Sequence, residues 1–231
     1  MRYNYRIEYK KNGPLKYISH LDLSALFCRA LRRARIPVEL TQGFNSRFRV
    51  SFGPALSLGF TGWKELLDVS LTEELENNLF KEKINHAAPV GLEITHICQI
   101  DENALSLSRY LQFASYLMQI EFQSLENDIK REEKIAIVKH RITEFKHRQN
   151  IFIKKQTKKQ LKEIDLKPLI YQMELVSDQM DNICHIRLII DIEQRGSINP
   201  LLIIKEFLVK NDDLKISISN VIREKFIFSS N

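Results

Sequence analysis

Aromatic and aliphatic residues alternate with polar ones at the start of the chain. Tyr3, Tyr5, Ile7 and Tyr9 interleave with Asn4, Arg6, Glu8 and Lys10, and that period of two predicts a strand with one buried face. Lys11-Asn12-Gly13-Pro14 is turn chemistry. The period then lengthens. Leu23, Leu26, Phe27, Ala30, Leu31 and Ala34 recur at helical spacing, so the next element is a helix with one apolar face. Its start is marked by Ser19 as N-cap, by Asp22 three residues on, and by Ile18 and Leu23 flanking the cap as a hydrophobic staple. Ile36-Pro37 ends it, because a residue before proline avoids the helical region. Residues 38–40 read as a short strand and 41–47 as a polar loop. Phe48, Val50 and Phe52 restore the alternation. A strand follows over 63–71. Thr72, with Glu74 and Glu76 after it, begins a second helix to about residue 86, and 92–100 alternates again. The order strand, helix, strand, strand, helix, strand is that of a ferredoxin-like unit.

Residues 101–108 form a polar link without an aromatic anchor, which sets the expected domains at 1–101 and 109–231. Beyond the link, 110–122 is extended. Ser124 caps a charged helix to about residue 149 with Ile129, Ile135, Val138, Ile142 and Phe145 as its stripe. Segments 151–155 and 161–164 flank the tip Gln156-Thr157-Lys158-Lys159-Gln160 as a hairpin. Strands follow over 169–176 and 183–192. Asn199 caps a last helix with Pro200 at its first position, and 214–228 closes the chain as a strand. The expected fold is therefore α+β, with tandem ferredoxin-like (βαββαβ) units built on antiparallel sheets. The second unit carries an extra basic hairpin.

Composition adds a direction. The chain has 231 residues, 44% hydrophobic and 28% charged, with a net charge of +6 and an isoelectric point near 9.1. That balance points to an anionic partner such as nucleic acid. Cys28, Cys98 and Cys184 lie far apart with no CxxC spacing, so no local zinc or iron–sulfur site is expected and no cofactor is assigned. No apolar run approaches a membrane span. The expected compartment is the cytoplasm, with no membrane partner. Walker, GxGxxG and GxSxG motifs are absent from the sequence.

The cations are concentrated in two places. Arg29, Arg32, Arg33 and Arg35 crowd the end of the first helix, with Arg47 and Arg49 beyond the loop. A helix C-terminus favours cations, but four arginines exceed what it needs. Lys154, Lys155, Lys158 and Lys159 mark the basic hairpin in the second half. Arginine and lysine at such places contact phosphates. Phe44 and Phe48, beside Arg47 and Arg49, add stacking faces for unpaired bases, although Phe48 also reads as core. His20, in the first helical turn next to Asp22, is the one candidate for acid–base chemistry. Glu65 and Asp68 form a carboxylate pair only if their segment is helical, and it reads as strand.

Gly13-Pro14-Leu15, Ile18-Ser19-His20-Leu21-Asp22, Arg29-Ala30-Leu31-Arg32-Arg33, Gln42-Gly43-Phe44-Asn45, Ser51-Phe52 and Leu58-Gly59 together resemble the radical SAM-linked protein family. Members of that uncharacterised-domain family occur beside, or fused to, a radical SAM protein. The likeness runs over about residues 3–100 and continues more weakly through Lys167-Pro168-Leu169 and Gly196-Ser197-Ile198-Asn199-Pro200. It implies a partner that holds S-adenosylmethionine and an iron–sulfur cluster. The chain departs from the pattern where Ser46-Arg47-Phe48 replaces the family's proline-histidine-proline stretch. That departure shifts the expectation from catalysis towards binding.

The sequence is thus read as a non-catalytic accessory module that binds RNA, tRNA or rRNA, and works with a radical SAM enzyme. Two alternatives accompany it: a metal-independent ribonuclease using His20, and a protein-interaction subunit that binds no nucleic acid.

Overall fold

Burial alternates along β1 (Tyr3–Lys11) from Asn4 to its end. Tyr5, Ile7 and Tyr9 enter a core, and Asn4, Arg6, Glu8 and Lys10 take the other face. β1 pairs antiparallel with β3 (Thr61–Leu71) on one side and with β4 (Leu92–Ile100) on the other. β2 (Val50–Phe52) pairs antiparallel with Leu67–Val69 of β3. β4, β1 and β3 are neighbours in that order, and β2 pairs with β3 off that path. The computed structural model describes residues 2–123, 130–156, 161–180, 183–192, 199–208 and 215–228.

The chain divides into two compact units, Met1–Gln112 with Arg223–Asn231 and Phe113–Ile222. The chain passes between them inside β5 (Leu111–Gln123) and again inside β10 (Lys215–Phe228). The last residues therefore group with the first unit, whereas the sequence assigned them to the second half.

In the first unit, α1 (His20–Arg33) brings Leu23, Phe27 and Leu31 onto the strands, and α2 (Asn77–Ala87) brings Phe80 and Ile84. Each such side chain contributes about 1.5–3 kcal/mol when fully buried. The Tyr5 hydroxyl donates to the Leu75 carbonyl and accepts from the Leu75 N–H, both at 2.9 Å, which ties the start of α2 to β1. α2 begins later than the sequence indicates. Glu76 is its N-cap, accepting from the N–H groups of Asn78 and Leu79, and those two bonds hold its carboxyl below the usual carboxylate range. Thr72, the expected start, instead donates its hydroxyl to Pro37. Residues 13–17 form a 3-10 turn, and Leu107–Tyr110 forms a one-turn helix, α3, that starts in the expected polar link and runs past its end.

Gly91 shows what the backbone demands. Its φ is +95°, and an added Cβ would sit 2.6 Å from the Asn12 carbonyl oxygen. Its own carbonyl accepts from the Asn12 N–H at 2.9 Å, so the turn before β4 is pinned to the end of β1. Gly91→Ala is expected to destabilise the protein by roughly 1–3 kcal/mol, the usual cost of backbone strain, read as a lower denaturant midpoint at unchanged slope.

In the second unit, β5 pairs antiparallel with β9 (Ile183–Asp191), and β9 with β8 (Ile170–Met180). α4 (Arg131–His147) buries Ile135, Val138, Ile142 and Phe145, and α5 (Pro200–Leu208) buries Ile203, Ile204 and Phe207. Phe145 and Phe207 meet edge to face at 5.7 Å. Asn199 caps α5 by accepting from the Leu201 N–H. The hairpin is β6 (Phe152–Gln156) with β7 (Leu161–Asp165). Ser124 and Ile129 lie outside the described residues. The architecture is mixed α+β with antiparallel strand pairing and few helices, in line with the fold class read from the sequence. No helix among the described residues is long and apolar enough to cross a membrane.

Candidate functional site

The segment 38–50 folds back on itself. Leu40 bridges Phe48, the Thr41 N–H donates to the Arg47 carbonyl at 2.7 Å, and the Arg47 N–H donates to the Thr41 hydroxyl at 3.0 Å. Gly43, at φ +137°, turns the tip. Residues 42–47 are exposed, and Phe44 is entirely so, at 105% of its reference area. Phe48, by contrast, packs against the core, with the Arg32 guanidinium over its ring at 5.3 Å. That contact places the end of α1 beside the base of the loop. Arg29, one helical turn back, is exposed with Arg32 and Arg47.

Two more arginines of this set, Arg33 and Arg49, are engaged, while Arg35 is exposed. Arg33 donates to the Ala87 carbonyl at 2.6 Å, at the last residue of α2. Two helix C-termini meet there, and a cation between them offsets both dipoles. Arg49 lies 3.1 Å from the Glu39 carboxylate, which Arg2 also contacts at 2.7 Å. Arg2 holds that carboxyl below its usual range by a hydrogen bond. Within the basic set of the first unit, Arg29, Arg32, Arg35 and Arg47 are therefore the cations with neither a carboxylate nor a carbonyl partner among the described residues.

The opposite end of α1 is organised differently. The Ser19 hydroxyl accepts from the Asp22 N–H at 3.1 Å and donates to the Asp22 carboxylate at 2.7 Å. Asp22 thus reaches back to the cap's side chain. His20 is half-buried, edge-on to Phe52 at 5.5 Å, and Phe52 is edge-on to Phe27 at 5.5 Å. Beneath it lies a buried ionic cluster. Lys11, 1% exposed, donates to the Ile18 carbonyl at 3.2 Å. Arg223, also 1% exposed, donates through Nε to Glu65 at 2.8 Å and through Nη2 to the other Glu65 oxygen and to the Pro54 carbonyl. Its Nη1 reaches the Ala55 carbonyl at 3.4 Å. The Gly59 N–H donates to the Lys16 carbonyl at 2.8 Å. The glycine-bearing loop 53–59 is thereby fixed at both ends.

This environment acts on protons in a consistent sense. Burial, followed by the Arg223 and Lys11 charges, lowers the His20 pKa. Burial lowers the Lys11 pKa, with Glu65 opposing. Burial and the Glu65 charge push the Tyr9 hydroxyl well up. All three shifts disfavour adding charge in a place that already holds two buried cations and one buried carboxylate.

The structure separates His20 from the arginines. At 1.5 Å per residue, Arg32 lies about 18 Å along the helix axis from His20, so the histidine and the basic loop do not form one catalytic arrangement. Glu65 and Asp68 are on opposite faces of β3. Glu65 pairs with Arg223, and Asp68 pairs with Arg6 at 2.8 Å. The polar face of the first unit is charge-balanced. Besides Arg6 and Asp68, Lys10 contacts Glu93 at 3.1 Å and Lys64 approaches Glu8 at 3.9 Å.

In the second unit the basic cluster is thinner than its sequence. Lys134 and Arg141 are buried, Arg148 lies over Phe145 at 5.3 Å, and Lys167 donates to the Lys146 carbonyl. Lys154 is exposed and stands opposite Glu163 in the hairpin, and Lys155 pairs in register with Lys162. Lys158 and Lys159 lie outside the described residues. Among the described residues no group of three or more His, Cys, Asp or Glu is arranged to hold a metal ion.

Three comparisons place the chain among known proteins. A family model described as "Uncharacterized protein conserved in bacteria (DUF2344)" matches residues 4–200. No curated protein matches the chain. Among solved structures, a chain of the crystal structure of a Cbf5-Nop10-Gar1 complex is similar at 12% identity and a TM-score of 0.50, covering 96% of this chain and 48% of that one. A chain of the archaeal box H/ACA sRNP Nop10-Cbf5 complex gives 11% identity and a TM-score of 0.45, covering 95% and 46%. The chain thus spans about half the length of these structures, and the likeness to the first is one of fold alone. Neither the family description nor the two structures names a radical SAM protein.

Proposed function

The chain belongs to that bacterial family of uncharacterized proteins, and on this premise we propose that it is a non-catalytic module that binds RNA through Arg29, Arg32 and Arg47 at the loop 41–47. One observation carries the reading. These three exposed arginines have no carboxylate partner among the described residues; Arg47 shares its loop with the fully exposed ring of Phe44, and Arg32 lies over Phe48 at the loop's base. Phosphates are the anions that such guanidinium groups match, by charge and by fork geometry. The polar sheet face is a poorer phosphate surface, because its cations are already paired. The basic hairpin of the second unit, with Lys154, Lys155, Lys158 and Lys159, adds contacts in the same reading.

Each unit is proposed to be ferredoxin-like. The sequence order of the elements and the antiparallel pairings of β1 with β3, β1 with β4 and β2 with β3 support that for the first. The proposed RNA is a tRNA or an rRNA segment, and the proposed partner is a radical SAM enzyme that carries the cofactor and the cluster. Motif resemblance supports that partner.

Binding of a bulk tRNA fraction, measured against salt concentration, tests the reading. The expected result is an affinity that falls linearly on logarithmic axes with increasing salt, as cations on the RNA are displaced. Affinity that ignores salt, or no binding at low salt, overturns it.

A further inference from the structure

Electrostatic attraction does not need Phe44. Its ring stands wholly exposed at the tip of a loop that Thr41 and Arg47 close beneath it. The neighbouring ring is occupied, since Phe48 packs on the core and carries Arg32 on its face at 5.3 Å. The segment 38–50 thus offers one open aromatic face, with Arg47 in the same loop and Arg32 at its base. Three other aromatic rings of this unit are exposed, and one of them, Phe228, is stacked on Tyr110 at 4.4 Å. Tyr17 carries the Lys16 ammonium over its ring at 5.0 Å. Trp63 lines a pocket with Glu8, Glu224, Lys10 and Lys64, and those lysines already contact Glu93 and Glu8.

We propose that Phe44 stacks a single unpaired nucleotide, so that the RNA this module selects carries a bulged or otherwise unstacked base within paired structure. The inference rests on the RNA-binding reading above. Inside an A-form helix each base is covered on both faces, and the deep groove is closed to side chains. A phenylalanine ring therefore gains from a base only where one face is free. Binding along a continuous single strand uses a series of rings. Here the loop offers one open ring, with Arg47 in the same loop and Arg32 over Phe48 at its base to meet neighbouring phosphates.

The test compares two RNAs, a fully paired hairpin and the same hairpin with one bulged adenosine, against the wild-type chain, Phe44→Ala and Phe44→Trp. The wild type is expected to bind the bulged RNA about tenfold more tightly, within the range of one stacked base. Phe44→Ala should lose that preference and keep its affinity for the paired hairpin. Phe44→Trp should retain the preference. Equal, salt-dependent binding of both RNAs by the wild type overturns the unpaired-base inference and leaves RNA binding standing. Equal weakening of both RNAs by Phe44→Ala also overturns it. Binding of neither RNA overturns both readings. Phe44 contributes no burial to the core, so these variants are expected to unfold at the wild-type midpoint, which thermal unfolding verifies.

Discussion

Replacing Arg223 with methionine is expected to cost about 3–5 kcal/mol of stability, the usual effect of removing one partner from a buried ion pair. Arg223 and Glu65 are 1% and 4% exposed, and the guanidinium contacts both carboxylate oxygens. Without it, Glu65 is left as a buried charge against the lone ammonium of Lys11. The carbonyls of Pro54 and Ala55 lose their donor as well. Each unsatisfied buried acceptor costs about 1–3 kcal/mol. At roughly 2–4 °C per kcal/mol for a chain of this size, the melting midpoint should fall by about 10 °C. The double variant Arg223→Met with Glu65→Met separates the causes. It removes the buried carboxylate and keeps the side-chain volume, so it should recover part of the loss and leave the share that belongs to the loop carbonyls. Guanidinium denaturation of both variants checks this. Equal stability of Arg223→Met and wild type would show that the pair contributes nothing, and a double variant less stable than the single would show that Glu65 is compensated by Lys11 alone.

Local patterns made α1 and the strands around it readable before the structure. Ser19, the alternation of Tyr5, Ile7 and Tyr9, and the spacing of Leu23, Phe27 and Leu31 each act over a few residues, and each is found as expected. Long-range pairings were not readable. Glu39 takes Arg2 and Arg49 across the hairpin, and the Arg33 donor meets a carbonyl 54 residues away. Counting cations therefore overstated the free charge. Glu65 and Arg223 are 158 residues apart, and nothing local to either announces the other. Lys11 did carry a signal, since the period of two continues from Tyr5, Ile7 and Tyr9 onto it and marks it as inward. The turn signature of Asn12-Gly13-Pro14 obscured that. For α2 the capping site was ambiguous, because Thr72 looks like a cap and is spent on Pro37. The exposure of Phe44 against the burial of Phe48 follows from the closure of the loop, which the sequence alone does not reveal.

Changing Arg29, Arg32 and Arg47 together to glutamine should weaken RNA binding at low salt by roughly 10²- to 10³-fold, if each holds one phosphate. The slope of log affinity against log salt should become shallower by about 2, since each lost phosphate contact on single-stranded regions removes about 0.7. Glutamine keeps most of the aliphatic stem, so the Arg32 side chain still covers Phe48 and the loop retains its base. Two controls sharpen the result. Arg49→Gln should leave the slope unchanged, because its charge already faces Glu39 at 3.1 Å. Arg33→Gln should lower stability, because its guanidinium donates to Ala87 between two helix ends, and should leave the slope unchanged. Titrations of one RNA across a salt series measure all three variants. If Arg49→Gln and Arg33→Gln flatten the slope as much as the triple change does, then net charge attracts the RNA and no particular guanidinium does. If the triple change alone flattens it, Arg29, Arg32 and Arg47 are the phosphate contacts.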